Sequence, residues 1–256
     1  TLSGAVTVTG GSIKLGETGT LASNISMSDG TLDADETLTL SGDLTQTGDM
    51  EIHVAEDKTL SYSGAAVNLR ANTLTMSGKG TFNNTNALRL SNASSKLLLS
   101  NTTTVGSVST SANNSGVDVD QSSTITSLAV GHTTPVSIAA GKTLSGAVTV
   151  TAGSIKLGET GTLGSTVSMS GGKLDADNNL TLSGALTQSG DIEIHVAEDK
   201  TLSYSGASLN VGAKTLTLSG GGTFNNTNAL VLNSVDSLLS LAGILIIRDI
   251  DGTASS

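Results

Sequence analysis

Cysteine and tryptophan are missing from this chain of 256 residues, and proline occurs once, at Pro135. Without cysteine there is neither a disulfide framework nor a thiolate metal site. Two Phe and two Tyr are the whole aromatic complement. A compact core of this size normally leans on large aromatic side chains, so thin layers of structure are expected instead. Positive charge is also scarce: 12 Lys and Arg stand against 22 Asp and Glu, a formal net charge of −10. With no basic stripe, nucleic acid and anionic membrane surfaces are poor partners. The longest apolar run, LAGILII at 241–247, is too short to span a bilayer, so no membrane insertion is expected. No secretory leader opens the chain, which starts mid-pattern at TLSGAVTV and reads as a piece of something longer.

What is abundant is Thr, Ser, Gly, Leu, Val, Ala and Asn. Hydrophobic residues make up 36% and recur at regular intervals, which argues against disorder. The palette suits short strands joined by turns.

Repetition decides the architecture. With Thr1 placed on Thr143, TLSGAVTVTGGSIKLGETGTL (1–21) lies on TLSGAVTVTAGSIKLGETGTL (143–163). The match runs without a gap to Leu90 on Leu232, with 71 of 90 positions identical. The chain therefore divides into a first long unit (1–142), a partial second copy (143–232) and a divergent segment (233–256). That last segment reads as a cap or a fragment end. Within the unit a finer beat appears at Leu2, Leu21, Leu38, Leu60 and Phe82, and it recurs at Leu144, Leu163, Leu180, Leu202 and Phe224. Between these steps lie runs with period-2 alternation: AVTV (5–8), SIKL (12–15), NISM (24–27), LTLS (38–41) and EIHV (51–54). Strand-sized pieces at turn-sized intervals predict an all-β chain, a single-stranded parallel β-helix or β-solenoid. Its courses hold roughly 20 residues, about 13 in all.

The stretch EIHVAEDKTLSYSGA occurs twice, at 51–65 and 193–207. It carries most of the chemically versatile residues, and its duplication raises the question of an active site. About seven courses at the inter-strand spacing separate the copies by roughly 34 Å, so the two cannot converge on one substrate. Alternation puts Ile52 and Val54 inward and Glu51 and His53 outward, with EDK (56–58) as a polar corner and Leu60 and Tyr62 inward again. Glu51 with His53, and Glu193 with His195, supply two ligands where zinc takes three or four, so a solvated strand face is expected. His132 reads as a turn residue. No strand-to-helix nucleophile motif is present.

Paired carboxylates are the better argument for a site. LDAD occurs at 32–35 and 174–177, placing Asp33 with Asp35 and Asp175 with Asp177. These four residues are the candidate calcium ligands, calcium being a hard cation that takes oxygen. They are also where a polysaccharide-active enzyme would keep its carboxylates, but such enzymes need a cleft and sugar-stacking aromatics. Only three Arg (Arg70, Arg89, Arg248) are available as basic partners. Thr-x-Thr triplets (7–9, 37–39, 73–75) resemble those of ice-binding solenoids. Their unequal spacing does not match one course, so the ladder is expected to be broken. The NNTN corners (83–86 and 225–228) are expected to form hydrogen-bonded asparagine ladders.

TLTLSGDLTQTGD (37–49), NLTLSGALTQSGD (179–191) and TLTMSGKGTFNNTNAL (73–88) resemble the repeat lines of bacterial autotransporter and haemagglutinin-type passenger regions, over essentially all of 1–232. The resemblance implies a right-handed parallel β-helix, secreted or displayed on the bacterial surface as an adhesin, stalk or matrix filament. It carries over no catalytic residue. The expected function is thus structural or adhesive, without enzymatic activity and without a required cofactor. Expected partners are further copies end to end and host or matrix glycans, and the expected location is extracellular. The alternative is a ligand-binding solenoid, for calcium, glycan or ice.

Overall fold

The computed structural model describes residues 4–243, 246–247 and 250–252. The expected step residue Leu2, Arg248 and parts of the divergent segment lie outside the described residues. The chain is an all-β parallel solenoid of about 12 turns, with no helix among the described residues. Two compact units can be distinguished, Thr1–Leu128 and Ala129–Ser256. The repeat boundary at 142/143 falls inside the second of them.

Each turn contributes short strands to as many as three faces. In the first unit the longest face is built from Ser12–Leu15, Thr31–Ala34, Met50–Val54, Thr73–Gly78, Lys96–Leu99 and Gly116–Val119, paired in parallel. Register along it is Ile13↔Leu32↔Ile52↔Met76↔Leu99↔Val119. Turn length therefore varies, and the turns from Ile52 to Met76 and from Met76 to Leu99 are the longer ones. A second face carries Gly19–Leu21, Leu38–Leu40, Thr59–Tyr62, Thr81–Asn84 and the start of Thr104–Thr110. The third face begins with Val6–Val8, Ile25–Met27 and Leu44–Gln46. The second unit repeats the plan. Its long face runs Thr134–Ile138, Ser154–Leu157, Lys173–Ala176, Ile192–Val196, Thr215–Gly220 and Leu238–Ala242. Residues 238–242 belong to the divergent segment and pair in parallel with 215–219, so the coil continues across the end of the sequence repeat.

Side-chain alternation selects the inside. Ile52, Val54, Leu60 and Tyr62 are buried, as are Met76, Phe82 and Leu99. Parallel register holds apolar residues over apolar residues in columns such as Leu32, Ile52, Met76, Leu99 and Val119, with a few buried polar residues such as Gln46 and Asn84 among the inward positions. Burying one Leu or Ile is worth about 1.5–3 kcal/mol. No turn can bury its face alone, so stability is shared between neighbours. The finer beat of the sequence is offset once in each copy: Leu21 stacks on Leu40 whereas Leu38 stacks on Leu60, and Leu163 stacks on Leu182 whereas Leu180 stacks on Leu202. Both leucines of LTL point inward, and sequence spacing alone does not choose between them.

Polar side chains tie turn to turn. Asn24 Oδ1 accepts from the Asp43 amide at 2.9 Å, and Asp43 Oδ1 accepts from the Ala65 amide at 2.8 Å. Asp49 Oδ1 accepts from the Thr73 amide at 2.7 Å, and the buried Gln46 Nε2 donates to the Thr73 carbonyl at 2.8 Å. In the second unit Asp191 and Gln188 do the same for Thr215 at 2.8 and 2.7 Å. The asparagine corners differ from the expected ladder. Asn84 Nδ2 donates to the carbonyls of Asn86 and Ser107, at 2.9 and 2.6 Å, and Asn86 Nδ2 donates to the Gly64 carbonyl at 2.8 Å. These side-chain amides bond to backbone carbonyls, within the corner and across turns, and not to other asparagine side chains, because the next turn presents Gly106 and Ser107 there.

Candidate functional site

The duplicated EIHV strand sits on the long face, and the turns on either side give it partners. Its outward column in the first unit is Lys14↔Asp33↔His53↔Ser77, and the neighbouring column runs Thr31↔Glu51↔Thr75. Ser77 Oγ donates to Glu51 Oε1, and His53 Nδ1 lies 2.9 Å from Ser77 Oγ. The second unit reproduces this with Lys156↔Asp175↔His195↔Ser219. Ser219 Oγ to Glu193 Oε1 is 2.5 Å, and His195 Nδ1 to Ser219 Oγ is 2.9 Å. A serine whose single proton goes to a carboxylate can only accept from its other neighbour. The network therefore assigns the Nδ1–H tautomer to both imidazoles. Glu51 and His53 are half-buried and bridged, not simply solvated.

The arrangement holds an imidazole still through a serine-mediated carboxylate contact. It does not make the serine a nucleophile, since the hydroxyl proton is committed to Glu51 and the imidazole faces it as a donor. The bridging Ser77 was not legible in the sequence. It stands over His53 from the following turn, across one of the longer turns of the coil. Recurrence of the same Glu, His and Ser in the second copy, as Glu193, His195 and Ser219, is the one signal that points to it.

The four candidate carboxylates lie beside lysines. Lys14 Nζ is 2.6 Å from Asp35, and that hydrogen bond holds the Asp35 carboxyl below the usual range while raising the Lys14 ammonium above its own. In the second unit Asp175 is buried, with Lys173 Nζ at 3.2 Å and Lys156 Nζ at 4.0 Å; Lys156 is also 3.9 Å from Asp177. One oxygen each of Asp33 and Asp175 is buried without a hydrogen-bond partner among the described residues. Among the described residues no group of three or more His, Asp or Glu is placed to hold a metal ion. Each carboxylate pair thus has a lysine ammonium beside it. Lys156, Lys173, Asp175 and Glu193 line one open groove in the second unit. Thr31 stands in the first copy where Lys173 stands in the second.

The rest of the duplicated stretch is structural. Asp57 and Asp199 adopt φ of 60° at the corner, and Lys58 Nζ is 2.6 Å from Glu36 of the preceding turn. Tyr62 Oη donates to the Ala65 carbonyl at 2.6 Å and accepts from the Leu44 amide at 3.0 Å, while its ring stacks on Phe82 with centroids 6.0 Å apart. Tyr204 repeats every element, with the Leu186 amide at 3.1 Å and Phe224 at 6.1 Å. Burial pushes both phenols above their ordinary pKa. His132 lies in a bend before Thr134–Ile138, its Nδ1 buried without a partner among the described residues.

Comparison with protein-family models, curated proteins and solved structures finds no match to this chain.

Proposed function

We propose that this chain is a structural or adhesive solenoid segment of a bacterial surface or extracellular filament protein, working without catalysis. One observation carries the reading: the cross-turn bonds are duplicated along with the repeat. Gln46 and Gln188, Asp49 and Asp191, Tyr62 and Tyr204, and Asn86 and Asn228 each tie their turn to the one before or after through the same backbone group. Cohesion between turns is what a mechanical or display element requires, because each turn depends on its neighbours for both core and backbone hydrogen bonds. Exposed, acidic corners keep such elements soluble and apart side by side. Further copies of the chain, end to end, are the proposed partner, because parallel turns of this kind stack on one another.

Electron microscopy of the purified chain over a range of concentrations tests this, alongside single-molecule pulling. Filaments or discrete solenoid particles, with forced unfolding in steps of about one turn, are the expected result. Turnover of a polysaccharide that is lost in Asp33→Ala with Asp35→Ala would overturn it in favour of an enzyme.

A further inference from the structure

The hydroxyl groups of the second face are organised in a way that the triplet spacing did not show. Three-dimensional register stacks Thr20↔Thr39↔Ser61↔Asn83 in one outward column, and Thr59↔Thr81↔Thr104 in the column beside it. Thr37 extends that second column, its hydroxyl accepting from the Thr59 amide at 3.2 Å. The triplets at 7–9 and 73–75 mislead because they lie on other faces. The true ladder runs through Thr-Leu-Ser (59–61) and Thr-Phe-Asn (81–83), which a search for Thr-x-Thr passes over. The second unit carries its own array, Thr162↔Thr181↔Ser203↔Asn225 with Thr201↔Thr223.

Two properties mark this face. Several outward hydroxyls elsewhere are spent on the backbone of the turn before: Thr47 donates to the Met27 carbonyl at 3.1 Å, Ser100 to Met76 at 3.2 Å and Ser189 to Met169 at 3.4 Å. Among the described residues, the hydroxyls of Thr20, Thr39, Thr59, Ser61 and Thr81 make no such bond and are left for what lies outside. The columns also contain no charged residue, in a chain of net charge −10. An uncharged face on an acidic protein suits an uncharged partner.

We propose that this face, in each unit, is an ice-binding surface. Its hydroxyls repeat at about 4.8 Å from turn to turn and roughly 6.7 Å along each strand, a rigid two-dimensional lattice. β-Branched threonine has few χ1 states, so little freedom is lost when the array meets an ordered partner. A neutral polysaccharide is the competing occupant, but sugar rings are gripped by exposed aromatics, and all four aromatic side chains of the chain are buried. A water lattice needs only regularly spaced donors and acceptors.

The test is inhibition of ice recrystallisation by the whole chain, compared with the variant Thr39→Lys plus Thr181→Lys, which places a long charge in the middle of both arrays. The control is Thr45→Lys plus Thr187→Lys, on the third face. Wild type and control should inhibit at the same concentration, while the face variant should need at least tenfold more with unchanged circular dichroism and melting temperature. Folded wild type that leaves ice growth unaffected, or a face variant as potent as wild type, overturns the proposal. Retention on microcrystalline cellulose that the face variant loses, without any effect on ice, also overturns it by identifying a saccharide as the occupant. None of these outcomes touches the filament and unfolding measurements, which stand or fall separately.

Discussion

Removing one oxygen from each tyrosine isolates how a turn is tied to the next. In Tyr62→Phe the ring stays on Phe82 and the core volume is nearly unchanged. Two hydrogen bonds go. The Ala65 carbonyl belongs to an exposed residue and recovers water. The Leu44 amide does not, because Leu44 is only 3% exposed and the Tyr62 hydroxyl is its acceptor. An orphaned buried N–H costs about 1–3 kcal/mol, against about 1 kcal/mol for an average hydrogen bond. We expect about 2 kcal/mol for Tyr62→Phe and the same for Tyr204→Phe, which orphans Leu186. The two sites share no partner, so the double variant should lose the sum. Solenoids need not unfold in one step, so the primary readout is native-state hydrogen exchange. Protection of the Leu44 amide should fall in Tyr62→Phe while that of Leu186 is retained, and the converse should hold for Tyr204→Phe. Unchanged Leu44 protection, with a stability loss below about 0.5 kcal/mol, would refute the claim that the phenol is the amide's acceptor.

The same residues set an alkaline limit. Burial raises both phenols in the folded state, so their contribution is complete below the ordinary tyrosine pKa near 10 and is lost as pH climbs through the raised folded value. Tyrosinate absorbance should therefore appear together with unfolding, and Tyr62→Phe plus Tyr204→Phe should abolish that coincidence. Gly48 and Gly190 sit where a β-carbon would overlap the carbonyl oxygens of Ser28 and Ser170. Alanine at either should cost about 1–3 kcal/mol as overpacking, whereas Gly158→Ala, with its nearest neighbour at 3.7 Å, should be close to neutral by chemical denaturation. Ser77→Ala should release His53 from the Nδ1–H tautomer, visible as altered imidazole nitrogen shifts, while the nitrogens of His195 keep theirs. Retention of the His53 tautomer would show that Ser77 does not hold it.

The inward and outward partition of the duplicated stretch was legible because alternation is a local property. Ile52, Val54, Leu60 and Tyr62 are buried, as period-2 alternation requires. The partners of Glu51, His53 and Asp35 were not legible. They come from the turns before and after, and the register that brings Ser77 over His53 depends on where the longer turn accommodates its extra residues. Likewise Asp33 and Asp35 read as paired carboxylates in sequence, while in space Lys14 binds one of them.

The sequence by itself pointed to a coil of parallel β-strands with about 20 residues per turn, since alternating short apolar runs that recur at a regular interval bury their inward faces by stacking on their neighbours. It also determined the duplication, and with it the recurrence of contacts whose residues both copies keep, such as Tyr62 with Leu44 and Tyr204 with Leu186. Only the tertiary structure decided which residues meet across turns: the serine-bridged imidazole, the lysine-held carboxylates and the free threonine columns. The turn from Ile13 to Leu32 is shorter than the turn from Ile52 to Met76, so equal spacing along the chain is not equal height in the stack. Neighbours are fixed by backbone hydrogen bonds between turns, which no linear count records.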